Sequence, residues 1–188
     1  MKNPFQQKKT TAYEAIHEAN KIAYGGIVFQ AVRSMRDLGI LKQLEEHDES
    51  GVSAKEIAEQ LGLSLYGVET LLESGFSCNV VEMNGDLFTL SKIGYFLLND
   101  EMTRINMDFN HDVNYLGMFH IDEAIKEGRP AGLKVFGEQW KTIYQALRHL
   151  PRKVRDSWYS FDHFYSDSAY SEVLPIIFTN KVNSLVDI

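Results

Sequence analysis

The chain is short of cysteine and of positive charge, and it has no long apolar run. Each shortage excludes something. The single cysteine, Cys78, rules out an intrachain disulfide and suits a reducing cytoplasm. Flanking an expected strand, it reads as a small buried hydrophobe rather than a nucleophile. No run approaches the roughly 20 apolar residues of a membrane span. Residues 1–9 hold polar and basic side chains where a secretory leader has its apolar stretch. Lys and Arg number 19 against 26 Asp and Glu, and the net charge of −7 disfavours nucleic acid and anionic membranes as partners. Of the six histidines, His111 and His120 share one expected helix, but their spacing does not put them on one face as metal ligands; no metal is expected. What is present is 44% hydrophobic and 12% aromatic over 188 residues, enough for one cored domain, or one plus part of another.

The shortage of basic residues is sharpest between Lys55 and Lys92, where there is none. The same stretch reads as helix, helix and β-hairpin. Ser53-Ala54-Lys55-Glu56 is a capping box, Ile57, Ala58 and Leu61 follow at helical spacing, and Gly62 offers a stop. Ser64 caps a second helix with Leu65, Val68, Leu71 and Leu72 on one face, which Gly75 is expected to end. Val80-Val81 and Leu87-Phe88 flank Asn84-Gly85, a strong hairpin-turn signal. That order is a winged helix-turn-helix. Its second helix carries Glu69 and Glu73 and no base-reading Arg or Lys, which points away from DNA and towards dimerisation.

Upstream, residues 13–46 read as helical, with Ile27, Val28, Ala31, Val32, Met35, Leu38, Leu41 and Leu44 as an apolar stripe. Gly25-Gly26 is expected to break or kink the run. The stripe is broad enough to face a second chain as well as its own core; a core face alone is the equal alternative. Ser91 starts another helix. Beyond residue 105, Asp108 to Gly128 reads as one helix and Gln139 to Leu150 as another, with Trp140, Ile143, Tyr144 and Leu147 inward. A third runs from about Arg152 to Phe178, with a kink or break expected at Pro175 late in it. Its rings, Trp158, Tyr159, Phe161, Phe164, Tyr165 and Tyr170, read as core or as the lining of a small-molecule pocket. Ser184 to Ile188 is a short apolar run containing Asp187, the pattern of a buried parallel strand opening an α/β sheet.

These parts in this order resemble the S-adenosylmethionine-dependent small-molecule O-methyltransferases of the plant phenolic, acetylserotonin and bacterial polyketide type. The segment Phe161-Asp162-His163-Phe164-Tyr165-Ser166-Asp167 resembles that family's Phe-Asn-x-x-Met-Ser segment, keeping Phe161 and Ser166. The resemblance implies a mainly α fold. It consists of a winged-helix dimerisation domain with a small hairpin wing over 1–105 and a helical bridge lining the substrate pocket over 106–180. The first strand of a truncated Rossmann-like domain follows over 181–188. It implies S-adenosylmethionine as cofactor, with Phe161, Ser166 and Asp187 facing it. Asn114, Met118, Phe161, His163 and Tyr165 are expected to face the substrate, with Asp112 a further pocket position. The whole enzyme would methylate a hydroxyl, with nitrogen as the other acceptor, of a small molecule. No catalytic residue is expected in this chain, which would itself be inactive. The implied partners are a second copy and a small-molecule substrate, in the cytoplasm. The alternative is a winged-helix regulator with an aromatic effector pocket.

Overall fold

The computed structural model describes residues 10–48, 50–179 and 181–184. Leu185 to Ile188, and with them Asp187 and the expected strand, lie outside the described residues. The chain forms two compact units, Met1–Asn99 and Asp100–Ile188. The fold is mainly α with a small antiparallel sheet.

The first unit opens with α1, Ala12–Asp37, whose start is a capping box between Thr11 and Glu14. It runs unbroken through Gly25-Gly26, contrary to the expected kink. Each glycine costs only about 1 kcal/mol in a helix interior, which a helix of 26 residues absorbs. The break comes instead at Gly39, whose φ of +86° turns the chain into α2, Ile40–Glu46. Met35, Ile40, Leu41 and Leu44 are fully buried, whereas Tyr13, Ile16, Ile22, Tyr24 and Ile27 on the N-terminal part of α1 are exposed.

A short strand β1, Val52–Ser53, leads into α3, Ala54–Leu61, through the Ser53–Glu56 capping box, and α3 stops at Gly62. Then α4, Leu65–Ser77, starts where the Ser64 hydroxyl accepts the Gly67 N–H. It does not end at Gly75. That residue is buried inside the helix, where a Cβ would lie 2.8 Å from Val81 and 3.0 Å from Met35. Gly75 is therefore a packing contact with α1 and the sheet, not a stop. Strands β2, Val81–Asn84, and β3, Leu87–Leu90, pair with Asn84 opposite Leu87, so the loop is Gly85-Asp86, one residue later than the Asn84-Gly85 signal. The sheet order is β1-β3-β2, all antiparallel. Ser91 starts α5, Lys92–Asn99; its hydroxyl accepts from Gly94 N–H and donates to the Asn79 carbonyl. Ile57, Val68, Leu72, Val52 and Val81 complete the core; burying each aliphatic side chain contributes about 1.5–3 kcal/mol.

The second unit departs more from the expected pattern. Asp100 caps α6, Glu101–Phe109, so the helix starts before Asp108. The single helix expected to Gly128 is three pieces: a π-helical turn at Asn110–Asn114, a 3₁₀ turn at Gly117–His120, and α7, Ile121–Glu127. A hydrogen bond from Ser157 to Asp112 holds the extra residue of the π turn, and Gly117 permits the second break. Of the apolar side chains in this run Val113 is buried, but Leu116, Phe119 and Ile125 are exposed. A 3₁₀ turn, Ala131–Phe136, precedes α8, Ile143–Ala146, and another turn at Leu147–His149. The helix expected from Gln139 starts only here because the Trp140 indole donates to the Phe136 carbonyl and Lys141 N–H donates to Gln145, holding residues 137–141 in a loop. Tyr144, expected inward, is 72% exposed. Last comes α9, Arg152–Ile177, which passes through Pro175. The core here is Ala146, Leu147 and Leu150, with Trp140, Ile143 and Trp158 packed against it. None of the six rings expected along α9 is fully buried. Among the described residues no helix is long and apolar enough to cross a membrane.

Candidate functional site

The breaks in the expected 108–128 helix build a cavity. Phe109 at the end of α6, Val113 and Asn114 of the π turn, and Gly117 and Met118 form one wall. Pro130, Gly132, Leu133 and Phe136 form the second, and Ile143 and Trp158 the third. The space between them, open to solvent on one side, is about 290 Å³. The first two walls meet backbone to backbone. A Cβ on Gly132 would lie 2.6 Å from the Gly117 carbonyl oxygen, so only glycine allows the crossing.

No charged side chain lines this space. Its polar groups are the Asn114 carboxamide and the Trp158 indole. Asn114 donates one N–H to Asn110 at 3.4 Å, which leaves its carbonyl oxygen to accept. Few polar groups in an apolar setting are what orients a small planar molecule. A larger depression of about 680 Å³ is lined by Arg104, Arg152 and Lys153 against Glu101, Asp108 and Asp156. Its charges alternate in sign and reach solvent, as on an ordinary protein surface.

The second wall is held by charge. The Lys134 ammonium beside Glu123 holds that carboxyl below the usual carboxylate range, with Arg129 adding to the effect at 2.8 Å. This ties α7 to the turn that carries Leu133 and Phe136. Behind the first wall, Asp112 points away from the cavity. Its side chain is 6% exposed and accepts from Ser157 Oγ at 2.7 Å and Lys153 Nζ at 2.9 Å.

Of the residues expected at the substrate, Asn114 and Met118 line the cavity. Phe161 lies one layer behind, stacked on Phe109 with centroids 4.0 Å apart. Tyr165 packs on Phe161 and donates to Asn106 at 3.0 Å. His163 pairs with Asp167 on the exposed side of α9. The Ser166 hydroxyl donates to the Asp162 carbonyl in its own helix, as serines in helices commonly do. Trp158, one of the rings read as core or pocket lining, reaches the cavity; the lining residues that the sequence reading passed over include Phe109, Gly117, Gly132, Leu133 and Phe136, and the two glycines, 15 residues apart, were the available signal. Burial pushes the Cys78 thiol up, as befits a packing residue. Among the described residues no cluster of three or more His, Cys, Asp and Glu is placed to hold a metal ion.

Residues 17–88 match the family model of the Dimerisation2-like domain. Solved structures align with most of the chain. The S-adenosylmethionine-dependent methyltransferase SibL aligns over 85% of it with a TM-score of 0.69 and 20% identity. The likeness shows a fold shared with part of this methyltransferase. Mitomycin 7-O-methyltransferase MmcR shares it over 90% of the chain at a TM-score of 0.65 and 17% identity. Human N-acetylserotonin methyltransferase, solved with its cofactor, shares it over 90% at 0.65 and 19% identity. The chain spans about half the length of these methyltransferases: 47% of SibL, 48% of MmcR and 50% of the human enzyme. No curated protein sequence matches it.

Proposed function

We propose that this chain is the dimerising and substrate-holding part of a methyltransferase that transfers a methyl group from S-adenosylmethionine to the hydroxyl of a small, largely apolar molecule. The observation that carries this reading is the uncharged cavity around Asn114, Met118 and Trp158 within a methyltransferase-type fold. When bound, the cofactor supplies an electrophilic methyl group. The role of these residues is to hold the acceptor, to orient it through Asn114 and to keep water away from it. The exposed N-terminal part of α1, with Ile16, Ile22, Tyr24 and Ile27, lies partly within the Dimerisation2-like match and would meet a second copy.

Of the three groups expected to face the cofactor, Asp187 lies outside the described residues, and the other two are engaged within their own unit. Ser166 has its hydroxyl committed to its own helix, and Phe161 is stacked on Phe109. His163 lies outside the cavity, and among the described residues its lining holds no titratable side chain to take the acceptor's proton. The chain alone is therefore expected to bind an acceptor-like molecule but not the cofactor, and not to catalyse.

Calorimetric titration tests this. Residues 1–188 should bind 2-naphthol with a Kd on the order of 0.1–1 mM, as a ligand of that size allows, and should show no micromolar binding of S-adenosylmethionine. Met118→Glu, which puts a charge into the cavity, should abolish the naphthol heat. Naphthol binding that survives Met118→Glu would place the ligand elsewhere and overturn the reading.

A further inference from the structure

Asp112 and Ser157 do not line the cavity, but each is next in sequence to a residue that does. Asp112 precedes Val113 and Asn114 on the first wall, and Ser157 precedes Trp158 on the third. The hydrogen bond between them, 2.7 Å from Ser157 Oγ to Asp112, crosses from the π turn to α9 and joins the two walls from behind. Both side chains are more than nine-tenths buried. A buried carboxylate is costly unless its oxygens are satisfied. Here Ser157 and Lys153 both donate to it, and Lys153 keeps its other side in water. The π turn is the less stable backbone choice, and such turns recur where a side chain must be re-aimed. In this one, Asp112 faces α9 while Val113 and Asn114 face the cavity.

We infer that the Asp112–Ser157 hydrogen bond sets the separation between the Asn114 wall and the Trp158 wall, and so selects the width of the planar ligand the cavity accepts. Asp112 and Ser157 are positioning residues: they act through their neighbours and touch no ligand. The inference rests on the proposed function in taking this cavity as the acceptor site. Lys153, also on α9, still reaches Asp112 from its exposed end, so loss of the Ser157 bond loosens the walls without freeing them, and wider ligands gain relative to narrow ones. Specificity is a ratio of affinities, and that ratio is the readout.

The test uses one-ring 4-nitrophenol and three-ring 9-phenanthrol, titrated into the chain and its variants by calorimetry. Ser157→Ala should raise the affinity ratio of the wide probe to the narrow one by threefold or more. Ser157→Thr, which keeps the hydroxyl, should leave the ratio near wild type. Asp112→Asn, which keeps an acceptor for Ser157 but loses the charge facing Lys153, should fall between. A uniform loss for both probes, or an unchanged ratio in Ser157→Ala and Asp112→Asn, would make the bond a fold support only and overturn the inference. Failure of the wild-type chain to bind either probe would instead remove the acceptor-site reading, and this inference with it.

Discussion

The crossing of Gly117 and Gly132 gives the sharpest stability prediction. A methyl group on Gly132 would sit 2.6 Å from the Gly117 carbonyl oxygen and 3.0 Å from its Cα, and both neighbours are backbone. No flexible side-chain end can swing away, so the two turns must separate. The reverse substitution is mild, because a Cβ on Gly117 would meet the Gly132 carbonyl oxygen only at 3.4 Å. Overpacking of the first kind costs about 1–3 kcal/mol. Against that stands a gain of about 0.4–1 kcal/mol from stiffening the unfolded chain, since neither glycine has a positive φ. Gly132→Ala should thus lose about 1–2 kcal/mol, and Gly117→Ala should be within about 0.5 kcal/mol of wild type. In urea, with a slope of about 1–3 kcal/mol per molar, Gly132→Ala lowers the midpoint by roughly 0.3–2 M. Because the separated walls belong to the cavity, 2-naphthol binding should weaken as well. Equal midpoints for the two variants would refute the close crossing, and with it the shape of the cavity.

Two further outcomes follow from charge. The chain should not bind duplex DNA, because Glu69 and Glu73 on α4 and Glu82 and Asp86 on the hairpin are all exposed; a salt-sensitive gel shift implying several phosphate contacts would contradict this. Glu123, Asp100, Glu56 and Glu45 all have carboxyls held below their ordinary range, Glu123 by Lys134, Asp100 by Thr103, Glu56 by Ser53 and Glu45 by Lys42. A folded-state pKa below the unfolded value adds stability above the unfolded value, about 3.9 for Asp and 4.3 for Glu, and that stability is lost as pH falls through the folded pKa. Thermal unfolding should therefore be insensitive to these groups from pH 7 to about 5 and drop below about 4. A midpoint that rises on acidification through that window would reverse the sign of the argument.

Sequence reading succeeded where structure is local. The Ser53–Glu56 box, the Ser64 cap, the Ser91 start and the stop at Gly62 are short-range chemistry, and each is found as read. It failed where distant residues decide. Nothing near Gly75 says that Val81 and Met35 will close on it from two other elements. The 108–128 run keeps a helical period through its breaks, because the partner that holds the π turn, Ser157, lies 45 residues away. The rings of α9 were legible as a cluster, but not which of them would reach the cavity. Trp158 does because it packs beside Ala146 and Leu147, while Tyr165 turns to Asn106. Asn114 and Met118 came from the resemblance, and the cavity around them from contacts that only the folded chain supplies.

Pairing of two copies through α1 is the central claim for the first unit, as the cavity is for the second. Light scattering coupled to size exclusion at micromolar concentration tests it directly. The wild-type chain should elute at twice the protomer mass of 21.5 kDa. Ile22→Glu and Ile27→Glu, which place charges on the exposed apolar N-terminal part of α1, should return it to the protomer mass with unfolding unchanged. A protomer mass for the wild-type chain, or a dimer indifferent to both charges, would contradict the account.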